Sequence, residues 1–273
     1  MEDSAFLQLL DYLGLSWSGY RKVRRGVKKR ITRHMGQCGC RTIAGYIRLL
    51  DQEEGLRIRC EQLMAVSISR FFRDRALWAF LAENVLPSLV HRPLDLLRVW
   101  CAGCACGEEV YSLKILWEEV KYRFDPGPDF QVLATDMNPS YLARGKTGIY
   151  PRSSLKEVPE ALRSRYFLQQ NMKQSFAVRP FLKKGIGWEA QHLLSCLPKE
   201  AFHIIFLRNN LLTYYTEEVK TPIFEKVMDR LEPAGYLIIG SHEKVPASVT
   251  RLKHVAGPHG IFQKEFYGNV SVL

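Results

Sequence analysis

Three observations predict an α/β protein with a mostly parallel sheet behind an all-helical N-terminal region. Four short apolar runs between residues 94 and 241 alternate with segments of helical periodicity. Each run ends in something polar or flexible: CAGCACGEE, ATDMN, LRNN and GSHE. The first 90 or so residues contain no such run and read as helices.

In chain order, SGYRKVRRGVKKRITRHM is the most basic stretch. Val23, Val27, Ile31 and Met35 recur every four residues and form a narrow apolar stripe. Arg21, Lys22, Arg24, Arg25, Lys28, Lys29, Arg30 and Arg33 cover the rest of that helix. Charge of one sign at this density repels itself, so a docking surface for an acidic partner, centred on Arg24, Arg25, Lys28 and Lys29, is favoured over a merely solvated face. CRTIAGYIRLLDQEEGLRIRCEQLM continues the helical pattern. LDLLRVWC then reads as a buried strand and EEVYSLKILWEEVKYRF as a helix. FQVLATD is a second strand, and PSYLARGKTGIY starts a helix that ends in a turn. AFHIIFLRN and YLIIGS are further strands, separated by the helix TEEVKTPIFEKVMDRL. The stretch at about 165–190 reads as a small antiparallel insertion. The expected division is a basic helical domain over 1–80 and an α/β domain over 81–273.

Composition narrows the class. The chain has 273 residues, 47% hydrophobic and 25% charged, in the range of soluble globular proteins. No run of about 18 apolar residues suggests a membrane span, and the acidic start MEDSAFLQLL lacks a secretory n-region. Seven scattered cysteines do not form a secreted disulfide framework, so a reducing cytoplasm is expected. The net charge of +11 favours an acidic partner of some kind. No aromatic-interleaved RNA motif or zinc finger is present, so stable nucleic-acid binding is not expected. A monomer is the default.

Ligands of parallel α/β sheets bind at the carboxyl ends of the strands. Gly103 and Gly107 let the backbone approach a ligand closely. Glu109 is placed to accept hydrogen bonds from a cationic or hydroxylated group, and Asp136, after the second strand, suits ribose hydroxyls. No Gly-Lys-Ser/Thr follows the glycines, and they do not spell GxGxxG. A glycine turn with an acid after the second strand fits S-adenosylmethionine. Cys101, Cys104 and Cys106 sit in the same turn, but no histidine or fourth cysteine follows at finger spacing, so no metal is expected. Free cysteines pack as small apolar groups. Cys106 is the one to watch for reactivity.

SISRFFRD at 67–74, RVWCAGCACGEEVYSLKI, LATDMNPSYLARGKTGIY, RYF at 165–167, HLL at 192–194, IIFLRNNLLTYY and LEPAGYLIIGSHE follow one another in this order. In order and spacing they resemble the CheR family of chemotaxis-receptor glutamate O-methyltransferases, over roughly residues 15 to 265. The resemblance implies a Rossmann-like class I methyltransferase domain with a small β-subdomain inserted in it. It also implies a preceding helical domain, S-adenosylmethionine as cofactor (S-adenosylhomocysteine as product), and an acidic substrate in the cytoplasmic region of a chemoreceptor. By motif, the implied cofactor contacts are Ser67, Ser69, Arg73, Gly103, Glu109, Asp136, His192, Leu193, Leu194, Arg208 and Asn209. Arg73 and Tyr214 (or Thr213) would act at the reacting groups.

Some positions depart from the family pattern. The family shows Asn-x-Thr where this chain has Ser67-Ile68-Ser69, and Asn where it has His192. It shows proline at Val110, and a second acid at Asn138. Serine reaches less far than asparagine. The implied reaction is transfer of a sulfonium methyl group to an already ionised carboxylate, which needs orientation more than a strong base. Structural roles compete at several positions: Arg73 pinning a helix to Glu109 or Asp136, Asp136 as a helix N-cap, Arg208 holding a strand end, and His192 as a packed histidine. Competing functions are a CheR-like methyltransferase with another protein, small-molecule or nucleic-acid substrate, and a non-catalytic cofactor-binding docking or sensing module.

Overall fold

The computed structural model describes residues 1–67, 69–124, 127–170 and 174–265. It divides into two compact units, residues 1–68 with 209–222, and residues 69–208 with 223–273.

The first unit is helical: α1 (Asp3–Tyr12), α2 (Trp17–Tyr20), α3 (Arg24–Gln37), α4 (Ile43–Gln52) and α5 (Glu54–Met64). Val27, Ile31 and Met35 of the predicted stripe are buried, in a core with Phe6, Leu9, Tyr20, Tyr46 and Leu50. The Thr42 hydroxyl accepts from the Gly45 amide at 3.2 Å and caps α4. The Arg24 and Lys28 side chains donate to the Asp3 carboxylate at 3.2 and 2.6 Å, and Arg30 donates to the carbonyls of Leu63 and Ala65. The expected docking set is therefore half spent on the fold itself. Arg25 and Lys29 are exposed, with Arg21, Lys22 and Arg33.

In the second unit α6 (Arg75–Phe80), a π-helical turn at Leu81–Val85 and α7 (Leu86–Val90) precede the sheet. The sheet elements and their connections are β1 (Leu96–Ala102), α8 (Glu108–Val120), β2 (Asp129–Asp136), α9 (Pro139–Thr147), β3 (Ile149–Pro151), α10 (Glu160–Tyr166), β4 (Phe167–Gln170), β5 (Ser175–Val178), β6 (Ile186–Ala190) and β7 (Phe202–Leu207). In chain order there follow α11 (Leu211–Tyr214), which belongs to the first unit, α12 (Glu217–Met228), which begins in it, β8 (Leu231–Ile239), β9 (Leu252–His254) and β10 (Ile261–Lys264). The main sheet runs β6-β2-β1-β7-β8-β10-β9. Its first five strands are parallel; β10 is antiparallel to β8 and to β9. Cys101 lies opposite Ala134 on one side and Phe206 on the other. The chain winds from β1 toward β6 and then restarts at β7 on the other flank. This reversal opens a crevice at the carboxyl ends of β1 and β7.

Three expectations need correction. The antiparallel insertion is not the segment 165–190: the small sheet β3-β5-β4 begins at Ile149, and β6 runs parallel to β2 in the main sheet. Trp188 of β6 explains the placement, since its ring fills the space over Gly107 and Gly145, where an added Cβ would lie 2.6 and 2.5 Å from it. The boundary at residue 80 also moves. Phe71 packs edge-on against Tyr150 and Phe167, and Trp78 stacks on Phe206 at 5.9 Å, so this stretch joins the sheet unit. Residues 209–222 instead join the helical unit. There the Ser16 amide donates to the Tyr214 carbonyl at 2.7 Å and the Thr216 amide to Gly14 at 3.0 Å.

Candidate functional site

The loop after β1 is tied to the end of β2. The amides of Gly103 and Cys104 both donate to the Thr135 carbonyl at 2.8 Å. Ala105, with φ of 49°, donates its amide to Asp136 Oδ2 at 2.9 Å. The other Asp136 oxygen accepts from the Asn138 amide at 2.9 Å. Asn138, not Asp136, caps α9, its side chain accepting from Ser140. Burial pushes the Asp136 carboxyl above the ordinary carboxylate range, while these two amides pull it back. Each oxygen accepts from one amide and keeps a further lone pair. The Gln191 amide donates to the Asp136 carbonyl at 3.1 Å, which brings the HLL stretch beside the same strand end. There His192 Nδ1 accepts from the Leu194 amide at 3.2 Å, a turn-holding bond that a side-chain amide oxygen would also make.

Gly107 has φ of 85° and opens α8. Its missing Cβ makes room for Trp188 and the Tyr150 hydroxyl. Gly103 has φ of 76°. Glu109 in the first turn of α8 accepts from Arg208 Nη1 at 2.8 Å, and the other Arg208 nitrogen donates to Asp74. The Arg208 side chain is only 5% exposed. Burial raises the Glu109 carboxyl, and the Arg208 guanidinium, with Arg73 farther off, lowers it. Arg208 thus makes an ion pair with Glu109, and its guanidinium is shared between two carboxylates.

Arg73 lies in a loop whose neighbours Phe72 and Asp74 both have left-handed backbone, φ of 52° and 66°. Its carbonyl accepts from the Trp78 indole at 2.8 Å. The Phe72 amide donates to the buried Ser112 hydroxyl at 2.9 Å, which itself donates to the Glu108 carbonyl at 2.7 Å. These bonds fix FFRD on α8. Non-glycine residues in the left-handed region gather where a fold overdetermines a functional loop. Ser69 is half-buried and Ser67 exposed. Leu193 is half-buried. Asn209, with φ of 53°, directly follows Arg208. Tyr214 sits on α11 in the helical unit, its ring 5.0 Å from that of Tyr20.

Cys101, Cys104 and Cys106 are all buried, and burial drives the first two thiols well up. Among the described residues no group of three or more His, Cys, Asp and Glu could hold a metal ion. No helix among them is long and apolar enough to cross a membrane. The sequence reading passed over Asp74, Ser112 and Trp188. Asp74 and Ser112 had a signal, as the last letters of FFRD and GEEVYS; Trp188 had none.

Residues 67–261 match the model of the CheR methyltransferase SAM-binding domain. The chain belongs to the CheR methyltransferase family. Chemotaxis protein methyltransferase of Listeria innocua is 30% identical over 233 residues, 85% of this chain and 86% of that protein. Chemotaxis protein methyltransferase 1 of Pseudomonas aeruginosa is 31% identical over 225 residues, 80% of this chain and 81% of that one. A probable chemotaxis protein methyltransferase of Rhizobium etli is 30% identical over 247 residues, 86% and 88% of the two chains. Most of the crevice described above, from FFRD through Glu109 and Asp136 to Arg208, falls within the matched CheR domain. The Glu109 carboxylate in the first turn of α8 and the buried Asp136 carboxylate at the end of β2 suit the hydroxyls and cationic groups of S-adenosylmethionine.

Proposed function

We propose that this CheR-family methyltransferase forms methyl esters on glutamate side chains of an acidic protein, a chemotaxis-type receptor. The observation that carries this reading is that the partly buried Glu109 carboxylate, in the first turn of α8, and the buried Asp136 carboxylate, at the end of β2, stand with the guanidinium-bearing FFRD loop at one end of the parallel sheet. When bound, S-adenosylmethionine supplies a sulfonium methyl group. Asp136 would take its ribose hydroxyls on the lone pairs left by Ala105 and Asn138. Glu109 would accept from its cationic or hydroxylated groups. Gly103, His192 and Leu193 would border it through their backbones, and Ser67, Ser69 and Asn209 would add polar contacts. Arg208 would serve it through Glu109.

The acceptor carboxylate is ionised near neutral pH, so no strong base is required. The methyl group would pass from the cofactor's sulfonium to that carboxylate oxygen, so the two opposite charges would cancel in a neutral ester and a neutral thioether. Arg73 would orient either the acceptor carboxylate or the cofactor's carboxylate with its planar fork. Orientation of this kind supplies up to roughly 7–11 kcal/mol. A role for Tyr214 beside the methyl group rests on the family resemblance alone, and Tyr214→Phe tests it. The deciding experiment incubates the protein with methyl-labelled S-adenosylmethionine and a chemoreceptor cytoplasmic fragment. Base-labile label, released as methanol, is the expected result. Label only in base-stable products sinks the ester reading.

A further inference from the structure

Arg208 carries one positive charge and touches two carboxylates on two different elements. Its Nη1 donates to Glu109 in the first turn of α8, and its Nη2 donates to Asp74, directly after Arg73. Its Nε is buried without a partner among the described residues, so the cation rests on those two carboxylates. Asp74 holds a left-handed backbone, φ 66° and ψ 65°, and its carbonyl accepts from Leu77 at 2.9 Å to start α6. Left-handed geometry is unfavourable for a residue with a Cβ, though aspartate tolerates it better than most. The Asp74 carboxylate thus links the turn that presents Arg73, already held on α8 through Phe72 and Ser112, to the residue that follows β7.

We propose that Asp74 is a positioning residue for methyl transfer: through the Arg208 fork it ties the Arg73 turn to the Glu109 carboxylate, so that both are held in one geometry. The proposal rests on the methyltransferase reading of this site and adds a residue to it. Charges balance across the set: Asp74 and Glu109 are matched by Arg208 and Arg73. The Arg208 cation is shared, so each carboxylate limits its pull on the other. Burial raises the Glu109 carboxyl and Arg208 opposes that rise. The other groups that face Glu109 are Arg73, Glu243 from the loop after β8, and the Cys101 and Cys104 thiols of β1 and its loop. The Glu243 carboxylate is itself tied down, accepting from the Gly240 amide at 2.6 Å.

Removing the Asp74 charge leaves Glu109 sole owner of the guanidinium, which favours its ionised form. The acid limb of cofactor binding then moves to lower pH. The test compares wild type with Asp74→Asn, Asp74→Glu and Arg208→Lys. S-adenosylhomocysteine binding is followed by calorimetry across pH, and kcat and KM with the labelled-methyl assay. For Asp74→Asn the expected results are a fall in kcat of at least tenfold, S-adenosylhomocysteine affinity at neutral pH within threefold of wild type, and an acid limb displaced downward. Asp74→Glu restores the limb. Arg208→Lys, which keeps the charge but cannot fork across two carboxylates, loses kcat to a similar degree. An unmoved acid limb in Asp74→Asn overturns the proposal, because a merely structural clamp would lower the melting temperature alone. So does full kcat in either Asp74→Asn or Arg208→Lys. If Asp74→Asn does not fold, Arg208→Lys decides by the same kcat criterion. A wild type that binds S-adenosylhomocysteine but esterifies no receptor fragment defeats the substrate reading instead, and leaves the acid-limb comparison to judge Asp74.

Discussion

Ser112 shows how much one small side chain carries. Its hydroxyl is fully buried, accepts from the Phe72 amide and donates to the Glu108 carbonyl. Replacing it with alanine strands a buried amide, which costs roughly 1–3 kcal/mol. Ser112→Ala is expected to lower the urea midpoint accordingly and to raise hydrogen exchange at the Phe72 amide ahead of the rest of the core. Unchanged exchange at Phe72 would show that FFRD is held by its aromatic packing alone. In sequence Ser112 is only the serine of GEEVYS, and its partner lies forty residues upstream. Glu109 was legible from the glycine turn that follows a strand, and Asp136 as the acid that closes the next one. Arg208 was legible as a residue but not as a bond. The identity of its partners depends on which strand ends become neighbours.

Among the elements, β7 carries a buried titratable group through the middle of the sheet. His203 Nδ1 accepts from the Arg98 amide of β1 at 3.1 Å. Burial holds its imidazole below the ordinary histidine range, as burial does for His34 of α3. The unfolded chain protonates both near about 6.5. The stability they contribute is whole above that value and is lost as pH falls through it toward the lowered folded values. Urea midpoints are expected to drop between about pH 7.5 and 5.5, and His203→Gln with His34→Gln to flatten that drop. The parallel strands β1, β2, β7 and β8 were readable as apolar runs. β6 was not: IGWEA is five residues long with none fully buried, and its pairing with β2 is decided by where the Trp188 ring fits. β9 and β10 are three and four residues long, too short to carry a period. The chain after β7 joins the helical unit through backbone bonds to Gly14 and Ser16, which no side-chain pattern announces.

For the whole molecule the net charge of +11 is the broadest signal, and the fold spends part of it. Arg24 and Lys28 pair with Asp3, whose carboxyl is held below its usual range by the hydrogen bond from Lys28. Arg25, Lys29 and Arg33 remain exposed along α3. The triple change Arg25→Gln, Lys29→Gln, Arg33→Gln is expected to weaken capture of an acidic receptor fragment, most at low salt. It should leave the melting temperature and S-adenosylhomocysteine binding where they are. Lys28→Gln is expected to do the reverse, lowering the melting temperature slightly with little effect on capture. Equal loss of capture and stability in the triple variant would make the face structural.

The ring of Trp188 stands in the room of two absent methyl groups, and the two vacancies are not alike. Gly107 is bound by its backbone as well, with φ of 85°. Gly145 is bound by the ring and, at 3.3 Å, by the Cys106 carbonyl. The price of a methyl at 145 therefore depends on what stands at 188, while most of the price at 107 does not. In a double-mutant cycle, Gly145→Ala and Trp188→Ala should show strong coupling, and Gly107→Ala and Trp188→Ala much weaker coupling. Any lineage of this fold that trades away the tryptophan is then free to lose one glycine but must keep the other.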